Sequence, residues 1–182
     1  KNYYRSGRLH SKVYYDEGVK TKTIWYYENG VVYRITPYKD GKIHGIRRFY
    51  YQDKSMEAEV PYVEGEPAEG LREYTTSGTL VKGYPTIRFQ QINHLKEDQI
   101  ILQFHLSNFS KNVEFYQVLK HNDKPYKKTI PSSQGAGQLV FKLSPGKMIK
   151  NKKIRIYAKT KSGRGHPYVT HGDYVLNAIH SK

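Results

Sequence analysis

The sequence contains no cysteine. This absence excludes a disulfide framework, a cysteine nucleophile and thiolate ligands for a metal ion. It is compatible with two locations, the reducing cytosol and a bacterial envelope whose proteins are poor in cysteine.

Long apolar runs are missing too. No stretch approaches the ~20 apolar residues of a membrane-spanning helix, and the sequence does not open with the pattern of a signal peptide. Since it begins within a repeat unit, we expect it to be a mature or truncated form of a longer protein. The hydrophobic fraction is only 37 %, but 18 tyrosines provide large amphipathic side chains for packing.

Charge and tyrosine are unevenly distributed along the chain. Residues 1–82 hold 14 Lys+Arg and 11 Asp+Glu, a balance of +3, whereas residues 83–182 hold 17 and 5, a balance of +12. Of the 18 tyrosines, 13 precede residue 85. Proline is disfavoured inside a central strand, so Pro85 supports a boundary here. Together these shifts predict two domains, residues 1–84 and residues 85–182.

Tyrosines and glycines recur at a fixed period in the first domain. One series starts at Tyr3, Tyr26, Tyr50 and Tyr74, with spacings of 23, 24 and 24 residues, and a second consists of Tyr14, Tyr38 and Tyr62, each 24 apart. A fixed period of this length indicates a repeat architecture. The positions that we take to define the repeat are Tyr26, Gly30, Tyr38, Gly41, Gly45, Tyr50, Tyr62, Gly65 and Gly78.

Each repeat contains two short β-prone runs separated by turn residues. Asn29-Gly30 and Asp40-Gly41 are strong hairpin signals, because these residues tolerate the positive φ of tight turns. Tyrosine, valine, isoleucine and tryptophan fill the runs between them, such as residues 23–27 and 31–36, and suit a pleated surface. The pattern predicts an antiparallel meander of about seven strands.

The motif Tyr-Tyr-x-Asn-Gly at residues 26–30, followed by Tyr-Lys-x-Gly-Lys-x-His-Gly at residues 38–45, resembles the MORN repeat. It is closest to the bacterial MORN-variant form, which occurs in antitoxin-like proteins and in envelope proteins. The resemblance extends over residues 1–82, with departures such as Lys54, which replaces a turn glycine. It implies stacked hairpins that form a curved single sheet.

The tyrosine doublets have two possible roles. Neighbouring side chains on a strand point to opposite faces, so one tyrosine of each pair is expected to stack on its counterpart in the next repeat and form a structural ladder. The alternative is an exposed aromatic stripe around Trp25, Tyr27 and Tyr51 that binds a sugar, a peptide or a partner strand.

The second domain has a different pattern of short strands and turn-rich breaks. Alternation places Ile154, Ile156 and Ala158 on one face of a strand. The predicted strands are residues 86–92, 99–106, 113–120, 138–143, 154–159 and 168–176, and the breaks between them include "HNDKPYKK" and "SPGKMIKNK". This layout resembles an immunoglobulin or fibronectin type III β-sandwich, which would also cover the open edge of the repeat sheet.

The basic residues of the second domain form two clusters, one of Lys147, Lys150, Lys152 and Lys153 and one of Lys159, Lys161 and Arg164. Lys150, Lys152 and Lys153 are candidates for binding an anionic surface, and a solvated surface is the simpler interpretation. The clusters lack interleaved aromatics, and residues 83–182 contain only three arginines. We therefore do not expect nucleic acid to be the partner.

No catalytic or metal-binding constellation stands out. His166 and His171 are five residues apart and would face opposite sides of a strand, which does not suit a metal site shared with Asp173. The acidic residues that could serve as a carboxylate pair lie in the most degenerate repeat, namely Glu57, Glu59, Glu64, Glu66, Glu69 and Glu73. We expect no enzyme activity, no catalytic residues, no metal and no cofactor.

The expected protein is all-β, an elongated antiparallel hairpin-repeat sheet followed by an immunoglobulin-like sandwich. Its expected function is non-catalytic binding or scaffolding in a bacterial cell envelope, as a periplasmic protein or surface lipoprotein with a protein or glycan partner. The alternatives are an antitoxin-like protein that neutralises a toxin in the cytosol, and a module that binds carbohydrate or anionic lipid.

Overall fold

A computed structural model describes residues 1–181 and divides them into two compact units. The first unit consists of Lys1–Gly83 and Ser162–Val169, and the second of Tyr84–Lys161 and the chain from Thr170 onward. The predicted division placed all of residues 85–182 in the second domain, whereas Ser162–Val169 groups with the first unit. Among residues 1–181, no helix has the length and apolar character needed to cross a membrane.

The described part of the chain is all-β, as the sequence predicts. The strands are β1 (Asn2–Tyr3), β2 (Leu9–Asp16), β3 (Val19–Tyr26), β4 (Val32–Lys39), β5 (Lys42–Ile43), β6 (Gly45–Tyr50), β7 (Met56–Val63), β8 (Glu66–Pro67), β9 (Arg72–Glu73), β10 (Ile87–His94), β11 (Gln99–Leu106), β12 (Glu114–His121), β13 (Lys124–Ile130), β14 (Ser132–Ser133), β15 (Ala136–Lys142), β16 (Met148–Lys161) and β17 (Pro167–Ile179). One turn of 3₁₀ helix, Leu95–Glu97, joins β10 to β11.

The first unit contains one antiparallel sheet in which neighbours in sequence are neighbours in space. The strand order is β1-β2-β3-β4-β6-β7-β8, with β5 paired to β4 and β9 paired to β7. The repeat glycines all have positive φ. Gly30, Gly41, Gly65 and Gly78 lie at turns of the sheet, and Gly45 is the first residue of β6. Lys54 takes the same left-handed conformation, with φ of 71°, so the turn persists where the sequence lacks its glycine.

A row of directly paired residues crosses this sheet. Ser11 pairs with Trp25, Trp25 with Arg34, Arg34 with Phe49, Phe49 with Ala58, and Ala58 with Glu73. Directly opposed residues share a face of the sheet. We call this side, which carries Trp25, Arg34, Phe49 and Ala58, the row face. It buries small polar residues as well as apolar ones, because Ser11, Thr23 and Thr36 are buried there alongside Ala58 and Val60.

The second unit contains two four-stranded sheets with a common core. Their strand orders are β10-β11-β15-β14 and β13-β12-β16-β17. Every second residue of strand β11 is buried. The ring centroid of its Phe104 lies 5.1 Å from that of Phe115, which belongs to β12 in the other sheet. Ile154, Ile156 and Ala158 of β16 are buried in the same core, which confirms the predicted alternation. The resemblance to immunoglobulin or fibronectin type III domains stays a prediction.

Two predicted breaks were wrong. In "HNDKPYKK" only Asn122 and Asp123 have the positive φ of a turn, and Lys124–Ile130 is a strand paired to β12. Six of its seven residues are exposed, so it lacks the apolar alternation by which strands are recognised. A lysine-rich strand at a sheet edge is physically reasonable, because exposed charge discourages further strand pairing. Likewise, β16 begins at Met148, inside the predicted break "SPGKMIKNK".

Candidate functional site

Three tyrosine hydroxyls join successive repeats of the first unit. Each belongs to the second tyrosine of a doublet and donates to a backbone carbonyl in the following repeat. The bonds run from Tyr4 to Tyr26 at 2.6 Å, from Tyr27 to Tyr50 at 2.8 Å, and from Tyr51 to Tyr74 at 2.8 Å. Burial raises the pKa of the Tyr27 hydroxyl, and the Glu57 carboxylate adds to the rise, which favours the protonated donor.

A bulge in three of the strand pairs, β1–β2, β3–β4 and β6–β7, adds a second residue to the row face. The register shifts between Asn2 and Tyr3, between Trp25 and Tyr26, and between Phe49 and Tyr50. The extra residues on the opposing strands are His10, Tyr33 and Glu57. Consecutive residues of a regular strand point to opposite faces, but a bulge turns two consecutive side chains toward the same face. His10, Tyr33 and Glu57 therefore share the row face with the residues that follow them, Ser11, Arg34 and Ala58.

The ladder residues therefore recur in sets of three. In the first set the ring centroids of Tyr4 and His10 are 4.4 Å apart, and those of His10 and Trp25 are 5.1 Å apart. In the second set Tyr27 lies 5.2 Å from Tyr33, and Tyr33 lies 6.1 Å from Phe49. The predicted aromatic ladder exists, but its stacking partners come from the bulge and the next strand rather than from the counterpart tyrosine.

The third set replaces two rings with carboxylates. Its members are Tyr51, Glu57 and Glu73, and Glu73 is only 1 % exposed. The segment Ser162–Val169 supplies their partners. The Ser162 hydroxyl donates to Glu73 at 2.6 Å, and His166 Nε2 lies 3.3 Å from Glu57 Oε1.

Arg164 completes this contact. Its Nη1 donates to the Tyr51 hydroxyl and, at 3.0 Å, to the Tyr74 carbonyl. The His166 ring also lies 4.6 Å from Phe49, so it continues the ring contacts of the second set.

The turn in this segment has the same hydrogen bonds as the repeat turns. The amide of Ser162 donates to the His166 carbonyl at 2.8 Å, and the amide of Gly165 donates to the Ser162 carbonyl at 2.9 Å. Tyr27, Val31 and Gly30 form the equivalent bonds at 2.8 and 2.9 Å. Ser162–His166 is therefore a further copy of the repeat turn. Sequence reasoning missed it because tyrosine, the marker of the repeat, is absent from it.

Two arginines on the row face lie against aromatic rings. The Arg34 guanidinium carbon is 4.8 Å from the Trp25 ring centroid and 5.5 Å from that of Tyr33. The Arg47 guanidinium lies 4.6 Å from the Tyr62 ring, and its Nη1 donates to the Tyr62 hydroxyl at 3.1 Å. Neither arginine has a carboxylate partner within residues 1–181.

Unpartnered donors surround these arginines. The Nε atoms of Arg34 and Arg47 and the indole nitrogen of Trp25 are buried without a hydrogen-bond partner in the described chain. The same holds for the hydroxyls of Thr23 and Thr36, residues that are 3 % and 1 % exposed. Burial lowers the pKa of Arg34, and the neighbouring charge of Arg47 lowers it further.

The predicted aromatic stripe is only partly present. Trp25, Tyr27 and Tyr51 are half-buried, and two of them use their hydroxyls within the ladder. Trp25 instead lies beside Arg34. The role of these residues in binding stays a prediction, and sequence reasoning missed both arginines because the repeat marks neither position.

The predicted lysines lie on a strand rather than in a loop. Lys150, Lys152 and Lys153 belong to β16, where all three are exposed. The Lys152 ammonium is 4.7 Å from the Phe141 ring. Binding of an anionic surface by these lysines stays a prediction.

The histidines and acids that were weighed for chemistry lie in different places. His166 belongs to the first unit and His171 to the second. Asp173 accepts two hydrogen bonds of 2.7 Å from Arg155. No group of three potential metal ligands occurs among residues 1–181.

The hairpin sheet and its periodic ladder define a repeat protein. Residues 22–40 and 43–64 match the model of the MORN repeat variant family, which confirms the predicted resemblance over those repeats. MORN repeats are generally associated with binding or scaffolding roles. No curated protein and no solved structure matches the chain.

Proposed function

We propose that this protein is a non-catalytic binding or scaffolding protein of a bacterial cell envelope, and that its partner is a protein. The observation that carries the proposal is the match of two repeats to a family generally associated with such roles. The envelope location is supported by the resemblance to MORN-variant envelope proteins and by the β-sandwich-like unit that accompanies the repeats.

The side chains weighed for catalysis have structural partners, which supports a non-catalytic role. Glu59 pairs with Arg48 at 3.2 Å, Glu57 pairs with His166, and Glu73 accepts from Ser162. A carboxylate pair for acid–base work needs one group that can gain or lose a proton at the substrate. These contacts serve the sheet and its turn instead.

The repeat sheet offers a surface suited to a scaffold. Its strands are held together by backbone pairing and by three hydrogen bonds from tyrosine hydroxyls to backbone carbonyls. A surface that is fixed before binding loses less conformational entropy when a partner docks.

Fractionation of the native host, followed by cross-linking, tests the proposal. We expect the chain in the membrane, periplasmic or outer-surface pool, cross-linked to a defined protein. Recovery in the cytosol with a co-purifying toxin would overturn the envelope location and favour the antitoxin-like alternative. Turnover of a substrate that depends on Glu57, Glu59 or Glu73 would overturn the non-catalytic role.

A further inference from the structure

The row face contains two guanidinium groups, those of Arg34 and Arg47, that no carboxylate among residues 1–181 neutralises. Arg34 pairs across strands with Phe49, and Arg47 lies two residues before Phe49 on β6. The two arginines are therefore diagonal neighbours on one face, within reach of each other. Two neighbouring, half-buried cations without an acid raise the energy of the sheet, and an anion bound between them would lower it.

The arginine next in sequence provides the contrast. Arg48 points to the opposite face, and its Nε lies 3.2 Å from Glu59 Oε1. Arg72 also approaches Glu59, at 4.0 Å. Glu59 thus neutralises arginines of the opposite face, Glu57 and Glu73 contact His166 and Ser162, and Arg34 and Arg47 have no carboxylate partner among the described residues.

The Nε atoms of both guanidiniums are buried and Arg47 Nη1 donates to the Tyr62 hydroxyl, so the remaining Nη groups are the donors left for a ligand. Arg34 lies over the Trp25 ring, and Arg47 lies over the Tyr62 ring. Stacking uses the flat face of a guanidinium, while its N–H groups point outward in the plane and match a carboxylate in a two-bond arrangement. On the same face, the paired residues Thr23 and Thr36 have hydroxyls that lack hydrogen-bond partners within the described residues.

From this arrangement we propose that Arg34 and Arg47, flanked by Trp25, bind a carboxylate side chain from an acidic peptide segment of a protein partner. The inference rests on the proposed binding function and names its ligand chemistry. A projecting carboxylate suits half-buried guanidiniums better than a flat lipid surface does. The balance of +3 over residues 1–82 also means that the repeat part itself, unlike residues 83–182, contributes little long-range attraction to an anionic membrane.

The chain carries its own probe of this site. Trp25 is the only tryptophan, so its fluorescence reports on the row face alone. Titration with an oligoglutamate peptide should change that fluorescence in a saturable way, whereas an oligoglutamine peptide should not. A flat response to both peptides would overturn the proposal.

Calorimetric titration of variants assigns the binding to the two arginines. R34Q and R47Q should each weaken oligoglutamate binding by roughly tenfold or more, since each removes one partner of a charge pair. R48Q is the matched control and should stay within about twofold, because Arg48 belongs to the opposite face. Equal losses in all three variants would indicate unspecific attraction and overturn the assignment.

Two further arms keep the test decisive. R34K and R47K retain the charge but lose the planar fork, so they should bind more weakly than the native chain even if a glutamine variant fails to fold. Vesicles of phosphatidylglycerol test the lipid source. A fluorescence change with vesicles but not with peptide would overturn the peptide ligand.

The proposed function and this inference can fail separately. Cross-linking of R34Q and R47Q in the host is the distinguishing arm. If both variants still capture the same partner as the native chain, the binding function stands and the ligand site is wrong. If the native chain captures no partner, the proposed function itself fails.

Discussion

At the scale of single residues, the second tyrosine of each doublet acts mainly through its hydroxyl. The sequence predicted a ladder of tyrosines from their period, and a ladder is present. The kind of bond could not be predicted, because a period of 24 residues does not distinguish ring stacking from donation to a carbonyl. The bulges that bring His10, Tyr33 and Glu57 to the same face have no sequence marker either, since these three residues share no chemistry.

Changing Tyr27 to Phe tests the hydroxyl directly. The variant keeps the ring against Tyr33 and loses only the 2.8 Å bond to the Tyr50 carbonyl. We expect a loss of roughly 1 kcal/mol in the free energy of unfolding, measured by denaturant titration. Tyr15→Phe is the control, because Tyr15 is 64 % exposed and should change stability little. Equal stability of the native chain and Tyr27→Phe would rule out a structural role for the bond.

The Arg155–Asp173 pair predicts a pH effect. Hydrogen bonds from Arg155 hold the pKa of the Asp173 carboxyl below its usual value. The pair therefore stabilises the fold above the unfolded pKa of about 4, and the contribution is lost as the pH falls through the folded pKa.

Comparison of melting temperatures across pH checks this effect. Asp173→Asn should melt slightly below the native chain at neutral pH, and the two should converge in acid. Asp123→Asn is the control, since Asp123 is exposed in a turn and has no ion-pair partner within the described chain. A difference that persists unchanged in acid would show that the carboxylate charge is not its cause.

At the scale of elements, apolar alternation predicted the buried strands well and the exposed ones poorly. The strand predicted at residues 99–106 matches β11, whose alternate residues fill the core. Strand β13 was taken for a loop because almost every side chain on it faces solvent. Its position is set by backbone pairing with β12, and such pairing does not require an alternation of apolar residues in the sequence.

A glycine inside β15 shows how tightly this core is filled. A Cβ built on Gly137 would lie 2.5 Å from Phe104 Cε2. Gly137→Ala should therefore force a shift of the ring or the strand and destabilise the second unit by roughly 1–3 kcal/mol. Gly163→Ala is the matched control, because no atom lies within 4 Å of its added Cβ. Thermal unfolding of the two variants measures the difference, and equal melting temperatures of Gly137→Ala and Gly163→Ala would contradict the packing of Phe104.

The Ser162–His166 turn makes a comparable prediction for the first unit. Ser162→Ala removes the 2.6 Å hydrogen bond to Glu73, a carboxylate that is almost fully buried. Loss of a donor to a buried charged group costs roughly 1–3 kcal/mol, so we expect a clear drop in melting temperature. Ser133→Ala, at an exposed serine of β14, should leave it unchanged. A drop of equal size in both variants would argue against the role of this turn.

At the scale of the whole molecule, composition predicts a boundary near residue 84, and the described chain forms two compact units, one of which includes Ser162–Val169. The change in charge and tyrosine content lies near residue 84. The first segment of the first unit, Lys1–Gly83, ends at this point. Ser162–Val169 joins the first unit through Ser162, Arg164 and His166, whose partners lie about 90 to 110 positions earlier in the chain. Such pairings depend on the folded chain and cannot be deduced from local pattern.

The site proposed on the row face could likewise be predicted only in part. Trp25 was identified from its place in an aromatic run, whereas Arg34 and Arg47 looked like ordinary charged residues of exposed strands. Their significance depends on which acidic residues share their face, and that follows from strand register. Register, in turn, is altered by bulges that the sequence does not reveal.

Hydrogen–deuterium exchange with and without oligoglutamate locates binding most directly. Bound peptide should slow exchange of backbone amides in β3, β4 and β6, the strands that carry Trp25, Arg34 and Arg47. Protection confined to the lysine-rich strands β13 and β16 would contradict a ligand site on the repeat sheet and assign binding to the second unit instead.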